Sequence, residues 1–357
     1  MKQFCESIWE AGEYTYAAAY GFVPNIHAYL HEDGTHDCLI VAPGGGYCMC
    51  VPQEGELVAK AFYEQGLNVF VLTYTTDITM SVPLRRQPLE DIARAVRFVR
   101  SRAKAYAPGK KLFVCGFSAG AHVCGTLAVH HDDVADKNPE YAGISCRPDG
   151  AILCYPVITT GTYTHPSSVE ALIGEHPSDE ELTYFSLEKN VTDRTPPCFL
   201  WQTATDDLVP VQNSYLFART LLEKGVSFAH YVFPNGFHGL SVPTEDFFRG
   251  NFGEPYTMEQ VRRAVQAVKE GKGINVSERR RTELAAQFPD TPAADDADKS
   301  ALSGADKSAL SGAPDEFFHT KAEEYEDVRQ WVSLAVLWMK KVPPSGKHPP
   351  HAPHKSC

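Results

Sequence analysis

The sequence contains no run of about 18 apolar residues, the length a helix needs to cross a bilayer, so no transmembrane helix is expected. It also lacks an apolar secretory core at its amino end, where Met1-Lys2-Gln3-Phe4-Cys5 runs directly into Glu6, Glu10 and Glu13. Positive charge is in short supply. Only 33 Lys and Arg stand against 45 Asp and Glu, giving a net charge of −12. Nucleic acid and anionic membrane surfaces would repel such a chain, so neither is an expected partner, and a neutral or cationic small molecule is easier to accept. The ten cysteines do not read as a disulfide framework without a secretory context. Cys38, Cys115, Cys154 and Cys198 fall in or beside apolar runs, where a reduced thiol packs as a small apolar residue. Reduced thiols and the missing leader together predict a cytoplasmic protein.

With 43% hydrophobic residues over 357 positions, the chain can bury a large core. Apolar, β-branched runs at Cys38–Ala42, Asn68–Tyr74, Lys111–Cys115, Ala151–Tyr155, Cys198–Gln202 and Ala229–Phe233 read as buried strands. Between them, Glu54–Gln65, Pro88–Tyr106, Ala119–His130 and Val211–Lys224 carry apolar residues at helical spacing, as with Ile92, Val96 and Val99. This alternation predicts a mostly parallel central sheet with helices on both faces and ligands at the carboxyl ends of its strands. Ile26–His31 reads as an added antiparallel strand.

The apolar run at Lys111–Cys115 leads into Gly116-Phe117-Ser118-Ala119-Gly120 and then into a helical segment. Gly-x-Ser-x-Gly in that context is a nucleophile elbow: a strand-to-helix turn that exposes the serine on a strained backbone. Ser118 is a poor nucleophile alone and needs an imidazole to take its proton. Fourteen histidines are present, and His238 is the candidate, because it follows the last strand in the glycine-punctuated loop Phe233–Leu240. His122 lies one helical turn beyond Ser118 and is expected to pack, cap or line the pocket. The imidazole needs a carboxylate to hold its tautomer. The loop after Cys198–Gln202 offers Asp206 and Asp207; counted back from Val209-Pro210, Asp206 is the expected acid, with Asp207 facing solvent or capping the next helix. The oxyanion needs preformed N–H donors. Ala119 supplies one, and the run Pro43-Gly44-Gly45-Gly46-Tyr47 supplies others through Gly45 and Gly46. No Lys-Ser or Lys-Thr follows that run, and its glycines are not spaced G-x-G-x-x-G, so it does not read as a phosphate loop.

The segments PGGGY at Pro43–Tyr47, GFSAGAH at Gly116–His122, FLWQTATDDLVPVQNS at Phe199–Ser214 and FPNGFHGL at Phe233–Leu240 resemble the α/β-hydrolases of the esterase/lipase branch. Within that branch they are most similar to small bacterial feruloyl and acetyl xylan esterase-like hydrolases. The resemblance implies the α/β-hydrolase fold, a Ser118, Asp206, His238 triad and ester hydrolysis through an acyl-enzyme with no metal or cofactor. The expected substrates are short-chain or carbohydrate-linked acyl esters. Two features depart from the pattern. Proline stands where many lipase-like relatives have histidine before the glycines, and a long insertion follows Leu240. A small-amide hydrolase or peptidase on the same fold, or a non-catalytic binding module, is the alternative. A prolyl peptidase is disfavoured, because too little chain precedes the first strand to form a propeller.

The resulting organisation is a core at 1–242, an insertion at 243–320, a core helix at 321–342 and a disordered tail at 343–357. Phe247, Phe248, Phe252 and Tyr256 form an aromatic cluster just after the histidine loop. Together with Tyr47, His122 and Phe237 they are candidate pocket residues, Phe247 and Phe248 as a lid. Helices are expected at Thr257–Lys269 and Glu278–Gln287. The octapeptide ADKSALSG, at Ala297–Gly304 and again at Ala305–Gly312, reads as a low-complexity linker. The tail histidines are expected to mark a disordered end rather than a metal site.

Overall fold

The computed structural model describes residues 1–102, 108–289 and 322–343; the repeats and the tail lie outside them. Eight strands form one sheet: β1 (Lys2–Ser7), β2 (Asn25–Leu30), β3 (His36–Ala42), β4 (Asn68–Thr73), β5 (Pro108–Phe117), β6 (Gly150–Cys154), β7 (Cys198–Thr203) and β8 (Phe228–Phe233). Their spatial order is β1-β2-β4-β3-β5-β6-β7-β8. β1 and β2 run antiparallel, and the other neighbours from β4 to β8 are parallel. The helices are α1 (Glu56–Glu64), α2 (Gln87–Ser101), α3 (Ala119–His130), α4 (Pro139–Ala142), α5 (Pro166–Ile173), α6 (Asp179–Tyr184), α7 (Gln212–Glu223), α8 (Glu245–Phe248), α9 (Glu259–Lys269), α10 (Glu278–Gln287), α11 (Glu326–Arg329) and α12 (Trp331–Lys341).

The central strands are apolar along their whole length because both sheet faces are covered. Alternation sends Ile40, Phe70, Val114, Leu153 and Leu200 into a core with α2, α3 and α7. Their neighbours Leu39, Val41, Val71, Phe113 and Cys115 enter a second core with α1 and α12. Trp331 of α12 lies against Trp201, Phe62 and Phe117, and its Nε1–H donates to the Ser241 carbonyl at 2.6 Å. The described cysteines are all free thiols. No helix among the described residues is long and apolar enough to cross a membrane.

From β3 the chain first moves outward to β4 and then returns to β5 on the other side, so the winding reverses between β3 and β5. Ligands bind at such a switch point, outside the carboxyl ends of the strands. The register pairs Ala42 with Gly116, which sets the glycine loop and the serine elbow side by side.

The described part of the insertion packs onto the loop after β4. Met258, Val261, Val265 and Leu284 gather around Ile78, the Gln260 carboxamide holds both the N–H and the carbonyl of Thr76, and Arg280 Nε donates to the Ile78 carbonyl at 2.8 Å. Among the described residues, the aromatic cluster packs on itself and on its neighbours. Phe247 is 0% and Phe248 4% exposed, packed with Leu240, Ala322, Leu57 and Tyr325. A lid needs a free apolar face, and these two rings have spent theirs on a small core of their own.

Candidate active site

Ser118 stands between β5 and α3 with φ 52° and ψ −116°. Two glycines make this conformation accessible. A side chain on Gly116 would collide with the Gly120 backbone, and one on Gly120 would collide with the carbonyls of Ala42 and Pro43. The Ser118 N–H donates to the Cys154 carbonyl at 3.0 Å, and its own carbonyl accepts from His122 at 3.1 Å, so the strained residue is held from both sides.

His238 reaches Ser118 from the loop after β8, its Nε2 lying 2.8 Å from Oγ. Its Nδ1 lies 2.9 Å from Asp206 Oδ2 and 3.1 Å from Oδ1. A carboxylate only accepts, so Nδ1 carries the proton and Nε2 is left as the base facing Ser118. Asp206, with a fully buried side chain, also accepts from the Leu208 and Val209 N–H groups and from Gln202 Nε2. Asp207 is exposed as expected, but it caps no helix: its Oδ1 accepts the His238 backbone N–H at 3.0 Å and so fixes the histidine loop.

The glycine loop is fixed peptide by peptide. The peptide joining Pro43 and Gly44 is clamped at both ends, its carbonyl by Tyr74 Oη at 2.7 Å and its N–H by Glu54 Oε2 at 2.6 Å. The Gly44 carbonyl accepts from Val51, and the Gly45 carbonyl from Cys48 and Met49. In a trans peptide the N–H points opposite to its carbonyl, so the N–H groups of Gly45 and Gly46 turn away from these partners. No hydrogen bond among the described residues uses the N–H of Gly45, Gly46 or Ala119. Gly45 and Gly46 adopt φ 122° and 63°, which is why this stretch requires glycine. Tyr47, also at positive φ, is buried, and its hydroxyl lies 2.6 Å from His122 Nδ1. His122 Nε2 donates to the Phe185 carbonyl at 2.8 Å, so Nδ1 is the acceptor and Tyr47 the donor. Burial pulls the His122 pKa down to about 4, and the ring stays neutral. Tyr47 and His122 therefore brace the loop, and Phe237 packs edge-on against Tyr325.

Three residues near the site carry no distinctive sequence signal. Glu54 is 2% exposed and also accepts from the Tyr155 hydroxyl at 2.7 Å. The Tyr155 ring packs edge-on against His238, with centroids 4.9 Å apart. His165, buried beside Ser168, has its pKa lowered by burial and then by His238. Beyond it opens a polar cleft of about 700 Å³ between the loop after β6 and the inserted helix α10, lined among others by Ser81, Thr160, Thr164, Ser277 and Arg280. Ser118, His238 and the glycines of the loop are not among the residues that line this cleft. His31, Asp33 and His36 bring possible ligand atoms within 4.8 Å of one another. That cluster lies at the amino end of β3, away from Ser118, and its ring nitrogens already engage the Tyr63, Gly66 and Asp33 carbonyls.

A serine elbow at the switch point of a mostly parallel sheet, with histidine and aspartate delivered by the loops after β8 and β7, defines an α/β-hydrolase of the esterase type. A family model described as BD-FAE matches residues 25–221, more than half of the chain, and the chain belongs to that family. Over 270 residues, 75% of its length, it is 65% identical to endo-1,4-beta-xylanase B of Butyrivibrio fibrisolvens, and it spans 42% of that protein. An acetyl ester-xyloside bifunctional hydrolase from Caldicellulosiruptor lactoaceticus superposes with a TM-score of 0.63 at 32% identity, over 76% of this chain and 97% of that one. A carboxylesterase from Lactobacillus plantarum shares the fold, with a TM-score of 0.57 at 21% identity over 77% and 99% of the two chains.

Proposed function

We propose that the protein is a serine esterase that removes short-chain or carbohydrate-linked acyl groups through an acyl-enzyme. The observation that carries this reading is the continuous relay Ser118 Oγ, His238 Nε2, His238 Nδ1, Asp206 Oδ2, with contacts of 2.8 and 2.9 Å. His238 takes the Ser118 proton as Oγ attacks the ester carbonyl, and Asp206 stabilises the imidazolium. The carbonyl oxygen becomes an oxyanion that accepts from Ala119, Gly45 and Gly46, each such donor being worth about 3 kcal/mol of barrier. His238 then returns the proton to the departing alkoxide. Water repeats the sequence on the acyl-enzyme to release the acid.

The carbohydrate part of the reading draws support from the relatives, one called a xylanase and another an acetyl ester-xyloside hydrolase. The polar cleft between the loop after β6 and α10 offers hydroxyl and guanidinium groups suited to a polyhydroxylated alcohol. The test is turnover of p-nitrophenyl esters of increasing chain length, acetylated and feruloylated xylo-oligosaccharides and matched amides, by wild type and Ser118→Ala. The expected outcome is preference for short-chain and sugar esters over amides, and a loss of about 10⁴-fold or more in kcat for the variant. Wild-type turnover by folded Ser118→Ala would refute the assignment.

A further inference from the structure

The relay above makes no use of Glu54, although that side chain is the least expected group near the site. A buried carboxylate costs several kcal/mol of desolvation unless it is paired or strongly hydrogen-bonded. Burial pushes the Glu54 pKa up, while the Tyr155 hydroxyl, the Gly44 N–H and the nearby His238 draw it back, and no lysine or arginine is among these influences. Its two oxygens divide their work: Oε2 accepts the Gly44 N–H and Oε1 the Tyr155 hydroxyl. The first contact fixes the peptide that precedes the Gly45 and Gly46 donors. The second fixes the ring on which His238 rests, and Tyr155, whose own pKa burial and Glu54 raise, stays a phenol donor. A residue needed only for packing would not place one oxygen on each half of the machinery.

We propose that Glu54 is a positioning residue that ties the oxyanion loop to the histidine, so that the N–H donors and the base keep one fixed relation around the reacting carbonyl. The inference rests on the serine-esterase reading and adds to it a side chain that touches neither substrate nor Ser118. Its effect falls on the transition state, where displacement of the donors by a fraction of an ångström weakens oxyanion binding and leaves substrate binding nearly intact.

The experiment compares Glu54→Met, which keeps the volume and removes both acceptors, with Glu54→Gln, which keeps an acceptor for Gly44 and faces Tyr155 with an amide. Tyr155→Phe removes only the hydroxyl. With p-nitrophenyl acetate, Glu54→Met is expected to lower kcat about 30-fold or more with KM within about twofold, and Glu54→Gln to restore kcat to within about fivefold of wild type. The rate of Ser118 phosphorylation by diethyl p-nitrophenyl phosphate, which builds a tetrahedral adduct in the same hole, should fall in parallel. Tyr155→Phe should lower both rates by an intermediate factor, which keeps the test open if Glu54→Met does not fold. Wild-type kcat in folded Glu54→Met or in Tyr155→Phe, or failure of glutamine to restore it, would overturn the role of Glu54. Ser118→Ala separates the two levels: an active variant defeats the serine reading itself, whereas an inactive one beside a fast Glu54→Met defeats only the tie.

Discussion

At the scale of single residues, the two adjacent aspartates show how one position in a loop divides two tasks. Asp206 bonds the imidazole, and Asp207 bonds the backbone of the residue that carries it. Asp206→Asn is expected to lower kcat by about 10⁴-fold, because the amide can favour the wrong histidine tautomer, and Asp207→Asn by far less, since an amide oxygen still accepts the His238 N–H. Steady-state kinetics of the two variants would reverse the assignment if the order were inverted. His122 makes a prediction about stability. Folded His122 is neutral down to about pH 4, whereas an unfolded histidine takes up a proton below about 6.5. As pH falls through that window the unfolded chain binds the extra proton and the folded state loses up to roughly 3 kcal/mol. Urea unfolding at pH 7 and pH 4 should therefore show a smaller drop in stability for His122→Asn than for wild type; an equal drop would contradict the buried, neutral ring.

At the scale of elements, local patterns reveal apolar runs and miss strands and helices that carry none. The strands from β3 to β7 are legible as apolar runs because helices cover both sheet faces, and β8, half-buried at the sheet edge, is legible from its apolar composition. β1 is not, since KQFCES at the sheet edge leaves nearly every side chain exposed. The helices α5 and α6 also escape, being short, α5 begun by Pro166 without a side-chain cap and α6 by the capping box of Ser178 and Glu181, with no long apolar stripe. The insertion was legible in its helices and not in their placement. An aromatic cluster next to a histidine loop looks the same in sequence whether its rings face substrate or each other. Their burial favours packing, and truncating buried Phe costs about 3 to 5 kcal/mol per ring. Replacing Phe247 and Phe248 together by alanine should lower the melting temperature and leave the preferred ester chain length unchanged. A shifted chain-length profile with unchanged melting would return the cluster to the pocket.

At the scale of the whole molecule, the site exists because chain reversal between β3 and β5 brings the glycine loop against the serine elbow, while the loops after β7 and β8 deliver Asp206 and His238. Residues 297–312, the two ADKSALSG copies, hold leucine as their only large apolar residue. Their deletion is expected to leave both melting temperature and turnover unchanged; a loss of either would show that the copies contact the body. The sequence by itself pointed to Ser118, to the glycine loop and to the order Ser, Asp, His, because each depends on a local requirement: a turn too tight for a Cβ, a loop at a strand end, or an apolar run. Only the tertiary structure decided that Glu54 is buried between Gly44 and Tyr155, that the Tyr155 ring stands against His238, and that Phe247 and Phe248 face inward. A glutamate on a short segment, a tyrosine after a strand and a phenylalanine after a loop have no intrinsic side. Each acquires one from neighbours far along the chain, as Glu54 does from Tyr155 and Phe248 from Tyr325.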